Sequence, residues 1–159
     1  MNVNFFNNLS ETKRYKIYIL QSLHDNLNSS KNFLTSFDIK IINVGKELSE
    51  KLSSVGANRH LDILASEFIP KLIEQNARQI PAFSHKIVAL ENMGILLEPA
   101  LDLNAEKLLA EISKNVHLLF LWSEQSSGAG VLSWTNQKET FNFNLIAYEP
   151  KTIIYNDEI

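Results

Sequence analysis

The sequence predicts a doubly wound α/β domain with a mainly parallel sheet and helices on both faces. Three observations predict it. Short apolar runs alternate along the chain with segments of helical spacing, the order strand, helix, strand, helices, strand, helix, strand. The runs Ile87–Leu90 and Val116–Trp122 are nearly continuous rather than alternating, which suits strands covered on both faces. The connections between runs are long enough for right-handed βαβ crossovers.

Taken in order, residues 1–12 are polar apart from Phe5 and Phe6 and read as a loosely held end onto which those two rings tuck. Tyr15–Leu20 is aromatic and β-branched, a short first strand. Ser29–Ser36 starts a helix, with Asn28 or Ser29 as N-cap and Phe33, Leu34 and Phe37 on its apolar side. Asp38–Val44 is the second strand. Val44, Leu48, Leu52 and Val55 fall at helical steps, with Glu47 and Lys51 as an outward pair four residues apart and Gly56 as the stop. Asn58–Ala77 carries the strongest helix signal, the stripe Leu61, Leu64, Ala65, Phe68, Leu72 and Ile73. Pro70 inside it is expected to kink or split the helix near Ser66–Ile69. After the strand ending at Glu91 comes a helix to about Asn115 with Asp102 as its N-cap, then the strand Val116–Trp122. Ser123–Gly130 is a loop by composition. Val131–Trp134 and Thr140–Ile146 alternate in the manner of a hairpin at a sheet edge, and Ile153 and Ile154 add a last edge strand in a short tail from Pro150.

Composition excludes several classes. The chain has 159 residues, enough for one domain, 1–159, with a real core. Its formal net charge of −3 provides no global basic field for DNA. Cysteine is absent, so disulfides and thiolate metal sites are excluded, and a reducing, cytoplasmic setting is expected. No apolar run approaches a membrane span, and MNVNFFNNLSE lacks a basic region followed by an apolar one, so no secretory leader is expected.

The stretch His85–Pro99, HKIVALENMGILLEP, carries the clearest chemistry. Its apolar run stops abruptly at Glu91 and Asn92, and open α/β sheets hold ligands at that edge. Glu91 stands where an acid would coordinate magnesium or polarise an attacking water, and is the catalytic candidate. The matching phosphate loop would lie between the first strand and helix. A Walker A loop needs Gly-x-x-x-x-Gly-Lys-Ser/Thr, because its glycines let the backbone wrap phosphates while lysine reaches the β/γ oxygens. Aligned on Lys31, the chain reads Asp25-Asn-Leu-Asn-Ser-Ser30-Lys31-Asn32: the lysine is present, both glycines are missing, and Asn32 replaces the hydroxyl. Ser30, Lys31, Asn32 and, at the tip of the next strand, Ser123 are the nucleotide-binding candidates; a solvated lysine and a loop carboxylate are the plain alternative for Lys31 and Glu91. The four histidines, His24, His60, His85 and His117, show no ligand spacing, so no metal site is expected. His117, within an apolar strand, reads as a structural histidine. Trp122, Trp134, Phe141 and Phe143 read as core and edge packing or as a stacking platform.

INVGKELSEKL (Ile42–Leu52), LDILASEFIPKLIEQ (Leu61–Gln75) and IVALENMGILLEPALDLNAEKLLAEISKN (Ile87–Asn115), with the apolar strand and GVLSW beyond, resemble the BrxF family, the small P-loop proteins of type 3 BREX anti-phage systems. Glu91-Asn92, Glu98-Pro99, Ser113-Lys114-Asn115 and Trp122 match that family's motifs position by position, over about Ile39 to Trp134. The glycine-rich loop is not visible between Leu20 and Phe33. The resemblance implies a fold of P-loop NTPase type with a degenerate Walker A loop. It also implies a cytoplasmic component of a bacterial defence complex, partnered by the other proteins of that system and meeting DNA through them. ATP and magnesium are the cofactors it implies, weakly held if held at all. Self-association into a ring or dimer is an analogy with other P-loop proteins. The leading expectation is a binding or assembly module. An active ATPase with an atypical loop and a nucleic-acid-binding accessory subunit are the alternatives.

Overall fold

The computed structural model describes residues 4–22, 27–55, 60–81, 83–122, 130–136 and 139–155. Its elements are α1 (Asn4–Asn7), β1 (Ile17–Ser22), α2 (Leu27–Ser36), β2 (Ile41–Asn43), α3 (Val44–Val55), α4 (Leu61–Asn76), β3 (Lys86–Glu91), α5 (Ala105–Ser113), β4 (Val116–Leu121), β5 (Val131–Asn136), β6 (Glu139–Asn144) and β7 (Lys151–Tyr155). Five strands form one sheet in the order β2-β3-β4-β1-β7, and every pairing in it is parallel. The chain is therefore an α/β protein built on a parallel sheet flanked by helices.

Residue alternation along the strands divides the core in two. Ile17, Ile19, Val88, Leu90, Leu118 and Phe120 face one way, under α3, α4 and α5. Tyr18, Leu20, Ile87, Ala89, Leu119 and Leu121 face the other way, under α1 and α2. The faces follow from strand order. The connection from β1 to β2 runs one way across the sheet, and those from β2 to β3 and β3 to β4 run back. Crossovers of a single hand place reversed connections on opposite faces.

Several boundaries differ from expectation, each for a local reason. The first strand begins two residues later than Tyr15, because its ladders with β4 and β7 begin at Ile17 and Tyr18. Tyr15 packs edge-on against Tyr148, with ring centroids 5.0 Å apart. The second strand is shorter than Asp38–Val44 because its first residues finish α2. Asp38 sits at φ 59°, its N–H bonds the Thr35 carbonyl and the Ile39 N–H bonds the Leu34 carbonyl, a left-handed helix stop with aspartate in place of glycine. Pro70 does not split its helix: α4 runs unbroken from Leu61 to Asn76, held by the buried residues Ala65, Ile69, Leu72 and Ile73. The carbonyl that Pro70 leaves without a donor belongs to Ser66, on a partly exposed side that water reaches.

The cap of α5 is Asn104, not Asp102. The Asn104 side chain accepts the Lys107 N–H at 3.2 Å, whereas Asp102 closes the preceding 3-10 turn at φ 47°. Asn104→Ala is expected to lower stability by about 1 kcal/mol, read from the urea midpoint. Asp102→Asn, which keeps a side chain suited to the left-handed region, is expected to leave that midpoint in place.

The C-terminal hairpin is not an edge of the main sheet. β5 and β6 form a separate antiparallel pair. Leu132 and Phe143 are buried on the α3–α5 face, and Phe143 lies 6.2 Å from Phe120 and 6.3 Å from Trp122 between ring centroids. Trp122 Nε1 donates to the Ser133 carbonyl at 3.1 Å. Trp122 and Phe143 are thus core residues rather than a stacking platform. β7 is one of the two edge strands, as Ile153 and Ile154 suggested. Residues 4–12 include side chains that pack on the domain. Phe5 and Leu9 are buried, and Phe5, Phe6, Phe33, Phe37 and Phe83 form one ring cluster that seats α1 on α2. Among the described residues, no helix is long and apolar enough to cross a membrane.

Candidate functional site

The C-terminal edge of a parallel sheet binds ligands best where neighbouring strands send their connections in opposite directions. Here that point lies between β1 and β4, since β1 leads towards β2 and β4 leads across β1 to β7. Ser123, expected at the tip of β4, lies outside the described residues, as do residues 23–26 that join β1 to α2.

Next to this point the structure brings together the two residues singled out from sequence. Glu91 closes β3, and Lys31 reaches it from α2, Nζ to Oε2 at 2.8 Å. Their side chains are 34% and 20% exposed, so the pair is partly desolvated but open to a ligand. Ser30 and Asn32 do not join them in an equivalent way. Ser30 is fully buried and Asn32 is exposed. All three lie within α2, which begins at Leu27. From about Lys31 onward a helix starting there commits its backbone N–H groups to its own carbonyls. The N–H groups of Lys31 and Asn32, which a Walker A loop would turn toward phosphate, are spent inside the helix.

Asn92, the second half of the acid–amide pair, has a positional role. It sits at φ 54°, its Nδ2 donates to Asn43 Oδ1 at 2.9 Å, and its carbonyl accepts the Gly45 N–H at 2.9 Å. Asn43 Oδ1 also accepts the Lys46 N–H at 3.0 Å, which caps α3. The tip of β3 is thus bolted to the start of α3, and Glu91 is presented from a braced turn. Gly45 is part of the brace, because a Cβ there would stand 2.3 Å from Asn92 Nδ2.

Chemically, Lys31 and Glu91 satisfy each other. An anion must take Lys31 from Glu91, and a cation must take Glu91 from Lys31. A ligand that brings anionic oxygens together with a divalent cation replaces both partners at once.

A second cluster occupies the opposite edge of the sheet. His85 directly precedes β3, His117 is the second residue of β4, and Glu11 reaches both from the segment before β1. Glu11 Oε2 lies 2.5 Å from His85 Nδ1, and Oε1 lies 3.1 Å from His117 Nε2. The Ser84 and His85 backbone N–H groups and the Ser84 hydroxyl also donate to this carboxylate. Burial works to raise the Glu11 carboxyl, but the hydrogen bonds from Ser84, His117 and His85 outweigh it and hold it at about 2. Burial pushes the His117 imidazole below its ordinary value against the opposing pull of Glu11, and pushes the Tyr18 phenol up. His117 is thus a partnered residue inside the fold, as expected.

Sequence reasoning missed the cluster because its members are 74 and 32 residues apart, and no ligand spacing marks them. One signal was available. His85 and His117 stand at the starts of two apolar strands, and in the structure those strands are neighbours, with Ile87 opposite His117.

In class, then, this is an α/β protein with a five-stranded parallel sheet of Rossmann-like arrangement. It has a lysine–glutamate pair at the C-terminal edge of the sheet and a histidine–glutamate cluster at the other. No protein-family model, no curated protein and no solved structure matches the chain.

Proposed function

We propose that this chain is a P-loop-like module of a bacterial anti-phage defence complex, with a degenerate nucleotide site, acting chiefly as a binding and assembly partner of the complex's other proteins. The observation that carries the degenerate part is the start of α2 at Leu27, which puts Ser30 and Lys31 inside a helix and leaves Lys31 paired with Glu91. The defence assignment rests on the resemblance of Glu91-Asn92, Glu98-Pro99, Ser113-Lys114-Asn115 and Trp122 to the small P-loop proteins of type 3 BREX systems. The bracing of Asn92 against Asn43 and Gly45 supports a structural reason for the acid–amide pair that needs no catalysis.

Titration calorimetry with magnesium-ATP tests the nucleotide part. The expected result is weak or no heat, unchanged in Lys31→Ala. A tight, magnesium-dependent affinity that Lys31→Ala abolishes would overturn it. Co-purification of the tagged chain with the other products of its own defence locus, at fixed stoichiometry, is the expected result for assembly; recovery of the chain alone would count against it.

One observation favours a second reading, an ATPase with an atypical loop. The lysine and the acid meet at the sheet's ligand-binding edge, where magnesium and phosphate together would replace both. Single-turnover hydrolysis present in the wild type and lost in Glu91→Gln is the result that selects it.

A further inference from the structure

We propose that Glu11, His85 and His117 form a binding site for a first-row transition-metal dication of the zinc type. Each residue offers one ligand atom, and the three atoms all lie within 4.8 Å of one another. Two imidazoles and one carboxylate are a donor set that suits zinc and its neighbours, and imidazole nitrogen selects against magnesium and calcium.

The surroundings are those that metal-ligating side chains need. A ligating histidine fixes its ring by a hydrogen bond at the other nitrogen. His117 has this bond: Nε2 faces Glu11, and Nδ1 lies 3.3 Å from the Tyr18 hydroxyl. That hydroxyl is itself held by the Ser10 N–H at 2.8 Å. The Ser84 hydroxyl and two backbone N–H groups fix the Glu11 carboxylate.

The ligand atoms lie near the spacing of a coordination shell, and the closest pair must open to admit the ion. Zinc bonds of about 2.0–2.1 Å in tetrahedral geometry separate ligand atoms by about 3.3 Å. His117 Nε2 stands 3.1 Å from Glu11 Oε1, and His85 Nδ1 stands 2.5 Å from the other carboxylate oxygen, Oε2, so the ion either takes both oxygens or draws one ring across to the other's oxygen. His85 is the partner that must withdraw, and its side chain is 31% exposed. The ion takes the place of the protons shared between the rings and Glu11. His117 closes the inner side at 1% exposure, whereas Glu11 and His85 leave the outer side open to solvent. That open side supplies a fourth coordination position for water. The bound ion would clasp the segment before β1 to the starts of β3 and β4. The site lies on the edge opposite Lys31 and Glu91, so it stands or falls independently of the nucleotide reading.

The test is calorimetric titration of the chelator-treated full chain with zinc chloride, and with cobalt(II) followed by its visible d–d spectrum. The expected result is one equivalent bound and a tetrahedral cobalt band. Affinity falls by about tenfold or more in His85→Ala and in Glu11→Gln. His60→Ala, a histidine outside the cluster, binds as the wild type does. Zinc raises the melting temperature of the wild type and not of the two variants, and circular dichroism of each confirms that it is folded. Absence of stoichiometric binding to the wild type overturns the proposal. So does equal affinity in the wild type and either cluster variant.

Discussion

Phe143→Ala is expected to lower the stability of this protein by about 3–5 kcal/mol. The ring is fully buried where the β5–β6 hairpin meets the main core. A two-stranded hairpin is marginal alone in water, so β5–β6 depends on what it packs against. Phe143 supplies that packing through edge-on contacts with Phe120 and Trp122, flanked by the buried Leu132 and Leu145. Natural domains have only about 5–15 kcal/mol in total, so the variant is expected to melt at markedly lower urea. Phe143→Leu, which keeps much of the volume, is expected to cost less than half as much. The two urea curves, with near-ultraviolet circular dichroism to follow ring packing, check both statements. A loss for Phe143→Ala below about 1 kcal/mol would mean that the hairpin is not integrated into the core.

Gly45→Ala is the second case, and there two effects oppose each other. Gly45 lies in the first turn of α3, where exchange for alanine should favour the helix by up to about 1 kcal/mol. Against this, the new Cβ would stand 2.3 Å from Asn92 Nδ2, 2.8 Å from Cγ and 3.1 Å from the Asn92 carbonyl oxygen. Asn92 has little freedom to retreat, because its left-handed backbone, its bond to Asn43 and the Gly45 N–H all hold it. Overpacking of this kind costs about 1–3 kcal/mol, so the net result is a destabilisation. The shift also moves the turn that presents Glu91. Asn92→Gly removes the colliding side chain and suits the positive φ, so the double variant is expected to recover stability relative to Gly45→Ala. A thermodynamic cycle over the four proteins reads the coupling directly. A stabilised Gly45→Ala protein would show that the turn yields easily and that Glu91 is not rigidly presented.

Much of the fold was legible in the sequence because buried parallel strands have a compositional signature. The runs Ile87–Leu90 and Val116–Trp122 are apolar on both faces, and both became central strands. The stripe in Leu61–Asn76 is helical by spacing, and it outweighed Pro70 because one missing hydrogen bond on a partly exposed side is a smaller effect than four buried side chains. Turn chemistry was less legible. Asp38 and Asp102 take left-handed conformations that usually mark glycine or asparagine, so they read as a strand start and a helix cap until their neighbours were in place. The hairpin alternates as an edge hairpin would, and local pattern does not state which surface an alternating pair will cover.

Of the candidate sites, the sequence by itself determined two chemical groups. They are an acid ending an apolar strand and a lysine in the segment after the first strand, Glu91 and Lys31. It also determined that the glycines of a phosphate loop are missing, which is a matter of composition. Only the tertiary structure decided that the two groups touch, because α2 must cross the sheet face for Lys31 to meet the tip of β3. Only the tertiary structure assembled Glu11, His85 and His117. Strand order is set by which apolar faces pack together across the whole chain, and it converts separations of tens of residues into contacts of a few ångströms. No local pattern encodes that order.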